Sequence, residues 1–161
     1  MDRYERMVRE YSEPLYWHIR RLVVDHEDAR DILQDTLVAM YRNLWQLHDQ
    51  SRARAWAFRI ATNKAMRFLR RRAENVGITE QLADTLEASG YVNLDDAAGI
   101  RLQKAVMTLP PLQQTVFNLR YYDELGYDEI SAVTGSGTGS LKVVYHNAKE
   151  KIIKYLEDEQ L

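Results

Sequence analysis

The chain has 161 residues, room for one domain or two small ones, with 45% hydrophobic residues, 29% charged residues and a net charge of −2. Seven glycines and three prolines are few for the turns of a sheet-rich protein, so an all-α fold is expected. With no cysteine the chain can form neither disulfides nor cysteine-ligated zinc, which fits a reducing cytoplasm, and no apolar run is long enough to span a membrane.

The N-terminal stretch MDRYERMVRE is charged throughout, so no signal peptide is expected. From residue 2 to 24, Tyr4, Met7, Val8, Tyr11, Leu15, Ile19 and Leu22 recur at helical steps. Pro14 should kink that helix or restart it. A second helix should begin at Asp25, an N-cap, with Asp28 where a capping-box carboxylate would lie. Ala29, Ile32, Leu33, Thr36, Leu37, Met40 and Leu44 form its buried stripe. Asp31, Gln34, Asp35, Val38 and Arg42 lie opposite. Val38 is out of place on that polar face, as an apolar residue within a docking surface would be; a lone exposed apolar residue is also ordinary.

Residues 51–73 hold eight basic residues (Arg52, Arg54, Arg59, Lys64, Arg67, Arg70, Arg71 and Arg72) and no acidic one. A like-charged helix repels itself, so either a polyanion or a well-solvated face must accommodate it. Trp56, Ala57, Ile60, Ala61, Ala65, Phe68 and Leu69 should be its buried face. Arg59, Asn63, Arg67 and Arg70 should project from one side, spaced to track a nucleic-acid backbone.

Composition then inverts. Residues 74–99 carry six acidic residues and no basic one, and Gly77, Gly90 and Gly99 interrupt any helical stripe. This reads as a linker between a helical domain over residues 1–73 and a second domain over residues 100–161. In the second domain, short helices are expected over residues 100–108, 112–122 and 127–133. Leu109-Pro110-Pro111 and the turn Asp123-Glu124-Leu125-Gly126 separate them. Thr134-Gly135-Ser136-Gly137 then turns the chain into a long helix to Leu156. Leu141, Val144, Tyr145, Ala148, Ile152 and Tyr155 are its apolar positions. A short helix, a glycine turn and a longer helix make a helix-turn-helix layout.

No enzyme chemistry is visible, and no catalytic residue, metal or cofactor is expected. His18, His26, His48 and His146 have no ligand-like spacing and should be surface or boundary residues. Gly135, Gly137 and Gly139 lie between helices, not after a strand, so they form no dinucleotide fingerprint. Trp17 and Trp45 should be core. Trp56 adjoins the basic face, where stacking on an unpaired base is worth roughly 1–3 kcal/mol.

Taken together, these residues resemble a bacterial RNA polymerase sigma factor of the extracytoplasmic-function type, over nearly the whole chain. The likeness rests on Asp28-Ala29-Arg30-Asp31-Ile32-Leu33-Gln34-Asp35-Thr36 and on Ala55-Trp56-Ala57-Phe58-Arg59-Ile60-Ala61-Thr62-Asn63. Further on it rests on Leu109-Pro110-Pro111, Gln114-Thr115-Val116-Phe117, Tyr127-Asp128-Glu129-Ile130-Ser131 and Gly139-Ser140-Leu141-Lys142. The resemblance implies a subunit that acts with core polymerase at promoters. Asp31, Gln34, Asp35 and Val38 would dock on a coiled coil of the β′ subunit. Arg54, Trp56, Arg59, Asn63, Arg67 and Arg70 would capture and open the minus-ten element. The last long helix would read the minus-thirty-five element, and the linker would run through polymerase, with its β subunit, towards the transcript path. An anti-sigma protein is a further candidate partner.

The recognition helix departs from the family pattern. Val144 and Asn147 stand where arginines are common, and Gly137 stands where a serine cap is common. DNA affinity there must lean on Ser140, Lys142, His146, Lys149 and the helix N-terminus. Gln113-Gln114 replaces a Gln-Arg pair. The rival readings are a free-standing helix-turn-helix regulator and a protein-only helical adaptor. The first needs one DNA unit and a dimer surface, and the second leaves the basic block unexplained.

Overall fold

Each predicted amphipathic stretch forms a helix in the computed structural model, which describes residues 1–75 and 97–159. In the first half these are α1 (Arg3–Val23), α2 (His26–Arg42) and α3 (Ala53–Asn75), with two single-turn 3-10 helices, Leu44–Gln46 and Gln50–Arg52, leading from α2 to α3. The second half holds α4 (Ala97–Met107), α5 (Pro111–Tyr121), α6 (Tyr127–Thr134) and α7 (Thr138–Glu159). No strand occurs among the described residues, so the fold is all-α. None of their helices is long and apolar enough to cross a membrane. The expected linker lies, from residue 76 to 96, outside the described residues; its ends, Glu74 and Ala97 to Gly99, are helical.

The N-terminal group is a three-helix bundle. Asp2 caps α1 by accepting from the Glu5 amide at 2.8 Å. Met7, Tyr11, Leu15, Ile19 and Leu22 are buried at steps of three and four. The restart expected at Pro14 does not occur, and α1 runs through it unbroken. Pro14 and Glu10, whose carbonyl loses its helical donor, are both exposed, on the side of the helix where solvent can take the place of the missing amide, and buried residues on either side hold the axis. The α1–α2 corner turns on Val24, fully buried at φ 72°, a strained conformation for a β-branched residue. Arg20 secures it by donating from Nε to the Val24 carbonyl at 2.6 Å.

Asp25 caps α2 as expected, accepting from the amides of Glu27 and Asp28. Asp28 does not close a capping box. Its carboxylate turns to Arg72 of α3, 3.4 Å away, and ties the far end of the basic helix to α2. Ala53, Ala57, Ala61 and Ala65 are fully buried on α3 at steps of four. This ridge of small side chains lets α3 approach its neighbours closely.

In the C-terminal group, Pro111 opens α5, where its missing amide costs nothing. Gly135 ends α6 at φ 81°, the left-handed cap that favours glycine, and its amide donates to the Ser131 carbonyl at 2.8 Å. With Thr138 starting α7, the helix-turn-helix forms as the spacing predicts. The two groups share a core. Val116, Leu119, Leu125, Ile130, Val133 and Leu141 join the buried cluster built on Met7, Leu15, Ile19 and Phe58. A smaller cluster of Ala105, Val106, Leu109, Phe117, Ala148 and Ile152 belongs to the C-terminal group alone.

Candidate functional site

α2 buries Ala29, Ile32, Thr36 and Met40, which turns Asp31, Gln34, Asp35 and Val38 to solvent as one face. Val38 is 47% exposed. The face continues beyond the predicted residues. Tyr41 is 66% exposed and Trp45, in the first 3-10 turn, 72% exposed. Trp45 was expected in the core, as was Trp17, which is 36% exposed. Val38, Tyr41 and Trp45 step by three and four, the signal that could have placed Trp45 on this surface. Tyr41 is steadied edge-on by Tyr4, whose hydroxyl donates to the Leu37 carbonyl at 2.7 Å. Burial, then the neighbouring Tyr41, pushes the Tyr4 phenol up. Asp28, at the start of α2, is also pushed up, by burial first and then by Asp25, against the pull of Arg72.

α3 presents Arg59, Asn63, Arg67 and Arg70 as an exposed row, as predicted. Ala57, Ala61 and Ala65 of the predicted inner face are fully buried; Trp56, Ile60, Phe68 and Leu69 are half-buried against the core. Phe58 and Thr62, outside the predicted stripe, are buried as well. At the head of the row, Trp56 and Arg59 line a cleft of about 760 Å³ with His48, Asp49 and Arg52. Asp128, Glu129 and Ala132 of α6 also line it.

Arg54 is not part of the row. Its guanidinium forks onto Glu129, with Nε donating to Oε2 at 2.7 Å and Nη2 to Oε1 at 2.5 Å. The hydrogen bonds from Arg54 hold the Glu129 carboxyl below the usual carboxylate range, with burial opposing them. The same bonds raise the Arg54 guanidinium.

The outer side of α7 carries Ser140, Lys142, His146 and Lys149, all exposed, while Leu141, Ala148 and Ile152 are buried. Lys142, His146 and Lys149 share one face by spacing. Lys142 Nζ is 5.8 Å from the Tyr127 ring centroid and Lys149 Nζ 4.8 Å from that of Tyr145. Cation–π contact of this kind steadies the ammonium without removing it from solvent.

His18 corrects the expectation of a surface or boundary histidine, since it is wholly buried. Its Nε2 is 2.7 Å from Thr62 Oγ1, its Nδ1 is 3.2 Å from Asp123 Oδ2, and its ring lies against Phe58. A partner 105 positions away leaves no periodic trace.

The model of Sigma-70 region 2 matches residues 7–74, and that of Sigma-70 region 4 matches residues 100–152. The RNA polymerase sigma-E factor of Streptomyces antibioticus is 30% identical over 159 residues, covering 98% of this chain and 87% of that one. The ECF RNA polymerase sigma factor SigW of Bacillus subtilis is 25% identical over 169 residues, covering 98% and 90%. Among solved structures, the sigma factor RpoE in complex with the anti-sigma factor NepR, from Bartonella quintana, has the same fold. It superposes with a TM-score of 0.77 over 98% of both chains at 19% identity.

Proposed function

Since this chain belongs to the extracytoplasmic-function sigma factors of RNA polymerase, we propose that three separate faces divide its work at the promoter. As a sigma factor it binds core polymerase and promoter DNA and directs the start of transcription. It performs no chemistry on a substrate; its working place is the cytoplasm, with polymerase.

Residues 1–73 act as the polymerase-docking and minus-ten domain, residues 74–99 as the linker, and residues 100–161 as the minus-thirty-five domain. Asp31, Gln34, Asp35 and Val38 meet the polymerase β′ subunit, and Tyr41 and Trp45 widen the apolar part of that contact. Arg59, Asn63, Arg67 and Arg70 track the minus-ten strand, with Trp56 as a platform for an unpaired base. Arg54 joins them once Glu129 releases it. Ser140, Lys142, His146 and Lys149 face the minus-thirty-five major groove. An anti-sigma protein, the kind of partner bound to the Bartonella protein, is a further candidate partner of this chain.

The observation that carries this reading is the exposed row on α3. Three arginines and an asparagine stand in line beside a half-buried tryptophan, on a chain whose net charge is −2. A solvated face has no use for such concentration, whereas a phosphate backbone does. The test is an electrophoretic shift of promoter DNA with and without core polymerase. A shift that requires core supports the reading. A shift by the chain alone at moderate salt points to a free-standing regulator, and no shift in either condition to a protein-only adaptor.

A further inference from the structure

The histidines occupy four different settings. His18 is buried between the helical groups, His26 shares a hydrogen bond with the Tyr16 hydroxyl, and His48 lines the cleft beside Trp56. His146 is exposed on α7, and among the described residues no hydrogen bond, ion pair or ring contact engages it. The surface around it has little charge of its own. Residues 138–147, the half of α7 nearest its N-terminus, hold Lys142, His146 and no carboxylate. Lys142, His146 and Lys149 follow at steps of four and three, so the imidazole stands between two ammonium groups on one face. Lys142 leans on the Tyr127 ring and Lys149 on the Tyr145 ring.

The helices packed against α7 are α4, α5 and α6, and their charges are engaged elsewhere. On α5, Arg120 donates to the Leu125 carbonyl and lies over the Tyr127 ring. On α6, Asp128 and Glu129 line the cleft at Trp56. On α4, Arg101 reaches Glu159 at the far end of α7, and Lys104 acts on Tyr155. The other titratable groups there, Tyr121 stacked on Phe117, Tyr127 and Tyr145, are phenols and carry no charge in neutral water. On α7 itself the nearest carboxylate in sequence is Glu150, one turn beyond His146.

We propose that His146 couples minus-thirty-five binding to a proton: its protonated ring contacts a phosphate of the duplex, and the subunit takes up that proton as it docks. A neutral imidazole offers one N–H and no charge, whereas the protonated ring offers two N–H donors and a positive charge. A phosphate oxygen favours the second form, and by reciprocity the proton favours the phosphate-bound state to the same degree. Histidine is the side chain that ordinarily changes charge between pH 5 and 8. Protonation doubles the formal charge of residues 138–147, from Lys142 alone to Lys142 and His146. Affinity for the duplex therefore rises as pH falls, by at most about tenfold per pH unit for one proton. This rests on the assignment of α7 to the minus-thirty-five groove.

The test uses core polymerase reconstituted with the full chain. The probe is a promoter fragment selected from a random pool by the wild-type holoenzyme, with its minus-ten region held open by mismatches so that strand opening drops out. The ratio of wild-type to His146→Gln affinity cancels whatever pH dependence polymerase brings. One phosphate contact, with a salt slope of about 0.9, is worth about 8-fold at 0.1 M salt. The ratio should thus be about 3 to 10 at pH 6 and near one at pH 8. The wild-type salt slope should exceed that of His146→Gln by up to about 0.9 at pH 6 only. His146→Arg should carry the tighter binding to pH 8. On a fragment cut short of the minus-thirty-five element the ratio should be near one at both pH values.

A ratio that is the same at pH 6 and pH 8 would overturn the proposal, because the ring would then be a neutral contact or none. A ratio that persists on the shortened fragment would overturn it too, by placing the proton elsewhere. Lys142→Ala separates this from the reading beneath it. If Lys142→Ala weakens binding while the His146 variants behave as wild type, the proton coupling alone is wrong. If Lys142→Ala and both His146 variants bind as wild type at every pH, the assignment of α7 to that groove is wrong as well.

Discussion

Glu129 is held from two directions. Its Oε1 accepts from the Gly126 amide at 3.1 Å, and both oxygens accept from Arg54. Its carboxyl is therefore lowered in the folded chain relative to the unfolded one, Arg54 being the largest cause. A lowered carboxyl adds stability above the ordinary glutamate range and loses it as pH falls through the lowered value. The side chains of Arg54 and Glu129 remain 42% and 28% exposed, so solvent screening keeps the pair near the 0.2–1 kcal/mol of surface pairs, about 1 kcal/mol at most. Wild type should thus be slightly more stable than Glu129→Gln at neutral pH, and the two melting curves should converge in acid. Thermal melts from pH 7 down to pH 3 check this. Coincident curves at neutral pH would mean the pair contributes nothing. None of this was legible from the residues alone, where Arg54 reads as one more cation of the basic block. Spacing shows which side chains share a helix face. It does not show that a second helix has brought a carboxylate to one of them.

The elements were more legible than their contacts. α2 emerges with its inner stripe and outer face as the spacing predicts, because a helix that buries Ala29, Ile32, Thr36 and Met40 has one rotation available. The restart at Pro14 fails because proline's cost depends on where the orphaned carbonyl lies, and here both Pro14 and Glu10 are at exposed positions. Trp45 misled because the stripe of α2 stops at the 3-10 turn, and tryptophans are usually buried on average. Val38, Tyr41 and Trp45 make an apolar strip edged by Asp31, Gln34 and Asp35. That is the makeup of a contact with an apolar centre and a polar rim. Asp35→Lys combined with Val38→Glu should abolish core-polymerase binding, at a cost to the fold under about 0.5 kcal/mol per exposed site. Pull-down of core polymerase beside a circular-dichroism melt decides it. Retained core affinity with an unchanged melt would remove this face from the docking surface.

At the scale of the molecule, two matched regions are fastened by a common core. Val116, Leu119, Leu125 and Ile130 are fully buried in the same cluster as Leu15, Ile19 and Ala57. Full burial of one such leucine or isoleucine side chain is worth about 1.5–3 kcal/mol, several-fold more than the Arg54–Glu129 pair. Apolar contact therefore holds the groups together, and the charges set their register and what the seam covers. The expected division rested on the switch from a basic block to an acidic, glycine-punctuated stretch. It did not show that the two sides meet, since a shared core changes no residue's period. The stretch from residue 74 to 99 has no lysine or arginine, so trypsin cannot cut within it, whereas a glutamate-specific protease meets Glu80 and Glu87. Brief digestion with that protease should give two pieces, one ending in this stretch and one beginning in it. The pieces should co-elute on gel filtration at neutral pH and low micromolar concentration, and come apart in moderate urea before either loses its helical signal. Separate elution in plain buffer would mean that the shared cluster does not hold the groups together once the chain is cut. First cleavage inside α1, α2 or α3 would remove residues 74–99 as the junction between two domains.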